Sequence, residues 1–417
     1  MNKNGRRVVV TGIGAVTPIG CGAAGLYEGL RRERSAIGAV TRFDASAFNC
    51  RVAGEVADFD PAAHLPGVEP KRLRRLDRYA QFALACARMA IDDAGLRLED
   101  EDRDVIGCFI GSALGGAAFA EEQHVVFLTE GVRHIRPTLA LSVFCGAASC
   151  NIAIAHDLRG PSSANSDSCS SGAIAIGQAF RTVRDGYADM MLAGGVEVPL
   201  APLTFGAFDL IRAMSTHNDE PARACRPFDR SRNGFVMAEG GAVLVLEEAE
   251  HARRRRAAVY GAVLGFGASN DAHHMTAPLP SGTQAARAMR LALAEAEVAA
   301  EDVDHVNAHG SGTPLNDVTE TLAIKQVLGK HAYGIPVSAT KAMHGHALGA
   351  TGAIEAAGCL LSLRHGYVPA TINLETPDEA CDLDYVREGG RKIRLRYVLS
   401  NSFGFGGINA SLVFGSA

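Results

Sequence analysis

The sequence predicts an α/β fold in which helices cover the faces of a β-sheet, and three observations support this class. Apolar runs typical of strands lead repeatedly into glycine turns, as in VVVTGIG, VIGCFIGSALGG, MMLAGG, AVLVLEE and YVLSNSFGFGG. Helical stretches lie between these runs, and alternation of strand and helix is typical of layered α/β proteins. The order of strand, glycine turn, apolar helix and strand also recurs in the two halves of the chain.

Two pairs of segments carry the repeat. SSGAIAIGQA, which starts at Ser170, shares Gly-Ala-Ile in register with ATGAIEAAGC, which starts at Ala350. DVIGCFIGS at Asp104 resembles VDHVNAHGS at Val303. We therefore expect two similar halves, with EEAEHARRRRAAVYG as the crossover and its arginine run as an exposed helix end.

The first element is interpreted as a strand. MNKNGRRVVVTGIGAVTPIG has a basic front and an apolar middle, as a signal peptide does, but Gly12, Gly14 and Pro18 interrupt the apolar run. The residues that follow continue a globular fold, so the stretch indicates the first strand of a cytoplasmic protein.

Two helices are predicted from their periodicity. EPKRLRRLDRYAQFALACARMAIDDAG has an apolar stripe from Leu73 to Ile91 and ends at Gly95, while its basic residues share a second face. SGAIAIGQAF, which follows Cys169, is small or apolar on all sides, so we expect a buried helix that ends before Gly186. The basic face of the first helix is by default a solvated surface.

Composition narrows the classes of function. Of the 417 residues, 47% are hydrophobic and 21% are charged, as in soluble globular proteins, and the net charge of −5 argues against non-specific nucleic-acid binding. No apolar run reaches membrane-spanning length. The ten cysteines include no CxxC pair and no zinc spacing, which predicts free thiols in a reducing compartment and gives no indication of a metal or cofactor.

Cys169, in NSDSCSSGAIAIGQAF, is the first candidate for chemistry. A helix N-terminus favours a thiolate, and backbone N–H groups there can hold an oxyanion. A cysteine among small residues can equally be an inert packing residue. The other motifs decide between these readings.

Three further motifs lie at glycine-rich turns. VNAHGSGTPLND places His309 after a strand, where a histidine either handles a ligand or caps a turn. SATKAMHGHALGATGAIEAAG carries two histidines two residues apart, so at most one should enter a site, and its lysine and glutamate could form a buried ion pair that orients it. SNSFGFGGINAS could cradle a phosphate or gate an apolar pocket. The residues concerned are Lys341, His344, His346, Glu355, Phe403 and Phe405.

These motifs together resemble the β-ketoacyl-acyl-carrier-protein synthases of the elongating type. The resemblance runs from RRVVVTGIGAVTPIG through RPFDRSRNGFVMAEG to SNSFGFGGINAS, nearly the whole chain. It implies a thiolase-like fold of two duplicated halves in a five-layer αβαβα arrangement. Residues 1–256 would form the half with the nucleophile, and residues 257–417 the half with the two histidines.

The resemblance also implies a mechanism, an acyltransferase reaction that lengthens an acyl chain by two carbons in fatty-acid or polyketide synthesis. Cys169 would accept the acyl chain from a carrier protein. His309 and His346 would bind the malonyl thioester carbonyl and stabilise the enolate formed as carbon dioxide leaves. Lys341 and Glu355 would act electrostatically and structurally, and backbone N–H groups of Cys169 and Phe405 would hold the oxyanion.

Other positions are assigned by the same resemblance. Phe405 would be a gate, and substrate binding would involve Leu114, deep in the acyl pocket, together with Thr276, Thr313 and Phe403. Arg74, Arg75 and Arg212 would dock the acidic acyl carrier protein, which gives the basic helix face a second interpretation. The implied partners are acyl- and malonyl-loaded carrier protein and a second copy of the chain, or else a chain-length partner subunit. No cofactor is implied.

Two positions depart from the family pattern. Ser168 stands before the nucleophile, where alanine is common, and His273 occupies a position often held by an aromatic residue in a mobile loop. Both leave the acyl-chain preference open, so a polyketide or polyene pathway is as open as fatty-acid synthesis.

Four rival classes are weighed against this one. A short-chain dehydrogenase would need Tyr-x-x-x-Lys, which no tyrosine here provides, and a degradative thiolase would need a second cysteine in NSFGFGGINAS. A starter-type synthase would carry asparagine in place of His346. A non-catalytic chain-length subunit would lack the nucleophile, whereas this chain keeps Cys169, and this class remains the alternative.

Overall fold

The structure is a computed structural model that describes residues 5–417. The predicted first strand begins at Val8, and the first four residues of that stretch lie outside the described range. The strands, in chain order, are β1 (Val8–Thr17), β2 (Gly20–Cys21), β3 (Ile37–Ala39), β4 (Val52–Gly54), β5 (Ile106–Gly111), β6 (Ser162–Asn165), β7 (Met190–Glu197), β8 (Gly240–Glu248), β9 (Gly261–Asn270), β10 (His305–Asn307), β11 (Val337–Ser338), β12 (Tyr367–Val368), β13 (Arg391–Lys392), β14 (Tyr397–Gly404) and β15 (Ile408–Gly415).

Helices separate most of these strands. They are α1 (Gly22–Arg32), α2 (Pro61–His64), α3 (Pro70–Leu73), α4 (Arg78–Asp93), α5 (Ala117–Glu130), α6 (Leu139–Ser142), α7 (Ala147–His156), α8 (Ser171–Arg184), α9 (Pro202–Leu210), α10 (Ala249–Arg254), α11 (Thr283–Ala296), α12 (Pro314–Leu328), α13 (Lys341–His344) and α14 (Thr351–His365). Single 3₁₀ turns at Ser168–Ser170 and Leu348–Ala350 lead into α8 and α14. No helix within the described range is both long and apolar enough to cross a membrane.

The duplicated halves are confirmed by the order of the strands. The large sheet runs β6-β5-β7-β8-β1-β9-β15-β14-β10-β11, with β2 paired to β1 off this path. Each half contributes five strands to this path. When these five are numbered in chain order, both half-sheets run third, second, fourth, fifth and first from the outer edge to the centre. The halves meet where β1 and β9 pair antiparallel over Val8–Val10 and Gly261–Val263.

The two half-sheets and the helices that cover them form five layers, as expected. α8 and α14 lie between the half-sheets and touch each other, α4 and α7 cover the outer face of the first half-sheet, and α11 covers that of the second. α8 and α14 are apolar or small on nearly every side because both of their faces meet sheet, which is the burial the sequence predicted for α8.

One predicted helix is divided in the structure. Residues 69–95 contain α3 and α4 rather than a single helix, because Asp77 caps α4 by accepting a hydrogen bond from the Ala80 N–H at 3.3 Å. Arg78 also leaves the solvated face on which the sequence placed it. Its guanidinium binds both oxygens of the fully buried Glu239 at 2.8 Å. This ion pair fixes the start of α4 against the segment that precedes β8.

Candidate active site

A cavity of about 320 Å³ lies where the two halves meet. Its wall contains eight of the residues that the sequence singled out: Cys169, Arg212, Thr276, His309, Thr313, His346, Phe403 and Phe405. Cys169 comes from the first half, and both histidines and both phenylalanines come from the second. The cavity therefore exists only when the halves are packed together.

Cys169 lies in the 3₁₀ turn that leads into α8, and its residue is 9% exposed, at the cavity wall. The turn is held by the other half of the chain, because the Ser170 hydroxyl contacts the carbonyl oxygens of Ser402 (2.9 Å) and Ile408 (2.8 Å). Ser171 Oγ donates to the Ser168 carbonyl at 2.7 Å. The sulfur is thus fixed but still borders the cavity.

The surroundings of the sulfur favour the neutral thiol, whereas the helix N-terminus led us to expect a thiolate. Burial raises the pKa of the Cys169 thiol to about 11. A hydrogen bond from Ser168, the charge of Lys341 and the Phe405 N–H oppose this rise in pKa. The protein surroundings thus favour the thiol at neutral pH, and the thiolate must be stabilised during the reaction.

His309 follows β10, and its ring lies 5.3 Å from the ring of His346, centroid to centroid, at 78°. The backbone N–H groups of His309 and Gly310 each donate to the carboxyl group of the buried Glu320 at 2.8 Å. Burial, the charge of Lys341 and the neighbouring His346 hold the pKa of His309 well below its usual range. The imidazole is therefore neutral.

His346 enters the cavity, and His344 does not, as the two-residue spacing predicted. His346 Nδ1 is 2.8 Å from Thr351 Oγ1, which leaves Nε2 as the nitrogen available to a ligand. Burial and the charge of Lys341 hold the pKa of His346 well below its usual range, so this ring is neutral too. His344 Nε2 instead contacts Thr340 Oγ1 at 3.0 Å.

Lys341 and Glu355 form the buried ion pair that the sequence suggested. Lys341 Nζ is 2.6 Å from Glu355 Oε1, and both side chains are fully buried. Lys341 also donates to the backbone carbonyl of His309. The pair lies behind the histidines and does not line the cavity. Burial raises the pKa of Glu355 to about 7 and the lysine charge opposes that rise.

Phe403 and Phe405 form one wall. The Phe403 ring lies 5.9 Å from the His309 ring, and the Phe405 ring stacks on Phe208 with 6.2 Å between centroids. The Phe405 backbone N–H acts on the Cys169 sulfur and lowers its pKa. This N–H is therefore in position to hold negative charge next to the Cys169 sulfur.

Glu197, which the sequence reasoning missed, organises the turn that carries Leu114. Its buried carboxyl accepts hydrogen bonds from Ser112 Oγ (2.9 Å) and from the N–H groups of Ala113 (2.6 Å), Leu114 (3.1 Å) and Gly349 (3.0 Å). Leu114 packs in the apolar cluster that contains Cys169 but is outside the cavity wall. Glu320 was missed as well. A glutamate in an otherwise apolar strand, as in MMLAGGVE, was the available signal for Glu197.

The remaining predicted residues lie at the surface or at the cavity mouth. Arg74, Arg75 and His273 are exposed, and Arg212 is exposed while also lining the cavity. The neighbouring His274, rather than His273, lines the wall. Thr313 caps α12 by accepting from the Asn316 N–H at 3.4 Å.

Comparison with known proteins identifies the family. The sequence model described as "Beta-ketoacyl synthase, N-terminal domain" matches residues 5–252, and "Beta-ketoacyl synthase, C-terminal domain" matches residues 260–375. The chain is 46% identical over 413 residues to 3-oxoacyl-[acyl-carrier-protein] synthase 2 of Synechocystis sp., and the match covers 99% of each chain.

Solved structures agree with this. A type II PKS acyl-carrier protein in complex with its ketosynthase bound to the hexaketide contains a similar chain, with a TM-score of 0.91 and 36% identity over 99% of this chain and 100% of that one. The ishigamide ketosynthase/chain length factor gives the same TM-score, identity and coverage. With both family models matched over most of its length, the chain belongs to the β-ketoacyl synthase family.

Proposed function

We propose that this chain is an elongating 3-oxoacyl-[acyl-carrier-protein] synthase that uses Cys169 as its nucleophile. One observation carries the proposal: a buried cysteine at the start of α8 and two neutral histidines share one cavity. The reaction is a decarboxylative Claisen condensation in fatty-acid or polyketide synthesis. It adds two carbons to an acyl chain held on Cys169.

In the first half-reaction, the Cys169 sulfur attacks the thioester carbonyl of an acyl carrier protein. A new C–S bond forms, the old one breaks, and the proton of the thiol goes to the departing carrier thiolate. The negative oxygen formed on the way is held by the N–H groups of Cys169 and Phe405. An apolar wall that includes Phe403 and Phe405 limits the access of water, which would hydrolyse the acyl enzyme.

In the second half-reaction, the malonyl thioester loses carbon dioxide. The electron pair of the breaking C–C bond moves to an enolate whose oxygen accepts hydrogen bonds from His309 and His346. Neutral imidazoles suit this task, since each can donate a proton in a hydrogen bond without surrendering it. The enolate carbon then attacks the acyl group on Cys169, and the sulfur leaves as the thiolate.

Lys341 and Glu355 are positioning residues in this scheme. Lys341 holds the backbone of His309 through its carbonyl, and Glu355 neutralises the lysine charge. The lysine charge also helps to keep both imidazoles unprotonated. The pair thereby fixes the protonation state and the location of the two donors.

The partner that delivers both substrates is an acyl carrier protein in this proposal. Arg74, Arg75 and Arg212 are exposed cations, and Arg212 stands at the cavity mouth. They suit an acidic partner, where charge complementarity mainly sets encounter rate and register. Charge reversal at Arg74 and Arg75 should slow turnover of carrier-bound substrate and spare short soluble thioesters. Equal losses with both substrates would exclude docking there.

A homodimer is the proposed assembly. The short strand β6 is an edge of the large sheet and is contacted by α7. Apolar side chains are exposed on α7 and on the preceding segment that contains α5 and α6: Val125, Leu128, Leu141, Phe144 and Ile154. An open strand edge with an apolar border favours pairing with a second copy. A heterodimer with a chain-length partner is the second candidate, because the ishigamide structure contains such a factor. Light scattering of the chain alone distinguishes the two.

Two further assignments complete the proposal. All ten cysteines are free thiols in the structure, which supports a cytoplasmic location. We place the boundary between the halves at residues 256 and 257, within the link between α10 and β9.

The function is tested by mass spectrometry of the purified chain mixed with a panel of acyl-carrier-protein thioesters. The wild-type chain should gain the acyl mass, and digestion should locate it on the peptide that contains Cys169. The C169A variant should gain no acyl mass. If C169A gained the same acyl mass as the wild type, Cys169 would be excluded as the nucleophile. The panel also identifies which acyl groups the cavity accepts.

A further inference from the structure

The residue before the nucleophile has an uncommon backbone. Ser168 has φ = +53°, in the left-handed region that residues with a Cβ seldom occupy. The Ser171 hydroxyl holds this conformation by donating to the Ser168 carbonyl at 2.7 Å. The turn therefore fixes where the Ser168 side chain can lie.

That side chain lies beside the reactive sulfur. Ser168 Oγ is 3.8 Å from Cys169 Sγ, with the hydroxyl as donor. Gly404 packs against this residue, because a Cβ built on Gly404 would lie only 3.2 Å from the Ser168 Cβ. The hydroxyl is thus held close to the sulfur by packing as well as by the backbone.

The sulfur needs such donors. Burial disfavours its anionic form, and neither His309 nor His346 supplies a positive charge, since both rings are neutral. The titratable and charged groups around the sulfur and its cavity are Asp167, Glu197, Arg212, Asp271, His274, His309, Lys341 and His346. Of these, only Lys341 contributes to lowering the thiol pKa, and it acts without contact.

We propose that the Ser168 hydroxyl is a catalytic hydrogen-bond donor to the Cys169 sulfur. The inference rests on the proposed role of Cys169 as nucleophile. During loading, the hydroxyl stabilises the sulfur as its proton departs to the carrier thiolate. During condensation, it stabilises the sulfur again as the C–S bond of the acyl enzyme breaks and the sulfur takes up the electron pair. Ser168 keeps its own proton throughout.

Alanine, which the family resemblance places at this position, has no donor. A hydroxyl here therefore supplements the Phe405 N–H, and this chain should form its thiolate at a lower pH than it would with alanine. One hydrogen bond to a charged group is worth enough to shift an apparent pKa by about one unit.

The test measures how the rate of Cys169 alkylation by iodoacetamide depends on pH. The full chain is alkylated and then digested, peptide mass spectrometry reports the modified fraction of Cys169, and a small free thiol added to each sample serves as the reference. S168A and S168G should both raise the apparent pKa of Cys169 by about one unit and slow its alkylation about tenfold near pH 8. Profiles that match the wild type in both variants would overturn the proposal.

Two comparisons separate the hydroxyl from the backbone. S168G relieves the left-handed conformation and S168A retains it, so a shift in S168G alone would also overturn the proposal. S166A is the matched control, since the Ser166 hydroxyl donates to the Ala113 carbonyl at 2.9 Å and not to the sulfur. It should follow the wild-type profile, and a shift equal to that of S168A would contradict a specific role for Ser168.

The experiment distinguishes failure of this inference from failure of the proposed function. Alkylation needs no acyl substrate, so its pH profile tests the hydrogen bond even if no carrier thioester loads the wild-type chain. If the rate of acyl loading onto Cys169 depended on pH in S168A as it does in the wild type, only the role of Ser168 would be contradicted.

Discussion

Two turns in this molecule share a backbone design and differ in chemistry. Ser168–Ser170 leads into α8, and Leu348–Ala350 leads into α14. Both turns are 3₁₀ in form and start with a residue of positive φ, +53° at Ser168 and +38° at Leu348. Each stands before the central helix of its own half.

The second residue of each turn shows the difference. Cys169 borders the cavity, whereas its counterpart Gly349 is buried and donates its N–H to Glu197 at 3.0 Å. The two turns also touch, and the second turn packs against the start of α8, since a Cβ on Gly172 would lie 2.9 Å from the Gly349 carbonyl oxygen. The duplicated design therefore carries the proposed nucleophile in one half and a backbone contact in the other.

The helices that follow are specialised in the same way. Thr351 begins α14 and contacts the ring of His346, and Glu355 pairs with Lys341 one turn later. In α8 the matching positions are Ser171 and Ala175, which carry no titratable group. We infer that the first half supplies the sulfur for acyl transfer, with the Phe405 N–H of the second half assisting it, and that the second half supplies the donors for decarboxylation. The predictions below test this division.

The largest effect should come from H346A. Loss of one of the two enolate donors should slow condensation by about 1,000-fold. Loading of Cys169 should continue, because the acyl-transfer oxyanion is held by backbone N–H groups. Mass spectrometry measures loading, and product formation measures condensation. Equal loss of both steps would break the proposed division between the halves.

A loss of stability should follow from G349A. A Cβ at this position would lie 2.3 Å from the Ala113 N and 2.7 Å from Glu197 Oε2, so the turn must shift. The free energy of unfolding should fall by about 2–3 kcal/mol as a result. Urea unfolding measures it. G358A, in the α14 helix that follows this turn, is the control: its Cβ would meet only Leu30 Cδ1 at 3.5 Å, so stability should hold or rise by up to about 1 kcal/mol. Similar losses in both would contradict the close packing at Gly349.

A smaller effect is expected from T351V. Valine preserves the shape of threonine but removes the hydroxyl that contacts His346 Nδ1, so the ring loses its orienting partner. Condensation should fall about tenfold while loading of Cys169 is unchanged. Carbon dioxide release from malonyl carrier protein measures the affected step. An unaltered rate would show that packing alone orients the ring.

The smallest effect expected is that of pH on the rate of decarboxylation. Both histidines have pKa values below the usual 6.5, so they are already neutral at higher pH and no further deprotonation is available to them. Carbon dioxide release should be flat from about pH 6.5 to about pH 8. Alkylation of Cys169 should instead rise with pH across this range, because its pKa is raised to about 11. A steep rise in decarboxylation near pH 6.5 would indicate a histidine that is protonated in the resting chain.

Local patterns in the sequence predicted the halves, the buried helix after Cys169 and the Lys341–Glu355 pair, since each depends on residues close in the chain. The resemblance to known synthases supplied the roles of His309, His346 and Phe405. What local patterns could not supply was long-range pairing. Arg78 was assigned to a solvated face because its partner, Glu239, lies 161 residues away.

The protonation of Cys169 shows the same limit. The sequence indicates a helix N-terminus, which favours the thiolate, but the burial that raises the pKa comes from elements in both halves. Glu197 escaped notice because the four donors around its carboxyl come from two distant turns. Net electrostatic effects of this kind depend on packing that short motifs do not encode.

The contact of Ser170 with Ser402 and Ile408 has a consequence for synthesis on the ribosome. These carbonyl partners lie 232 and 238 residues after the serine, so the growing chain carries its thiol long before the groups that hold it have been translated. A product that stops short of Ser402 would display the cysteine without its catalytic setting. The contacts that fix the turn of Cys169 can therefore form only after almost the whole chain has been synthesised.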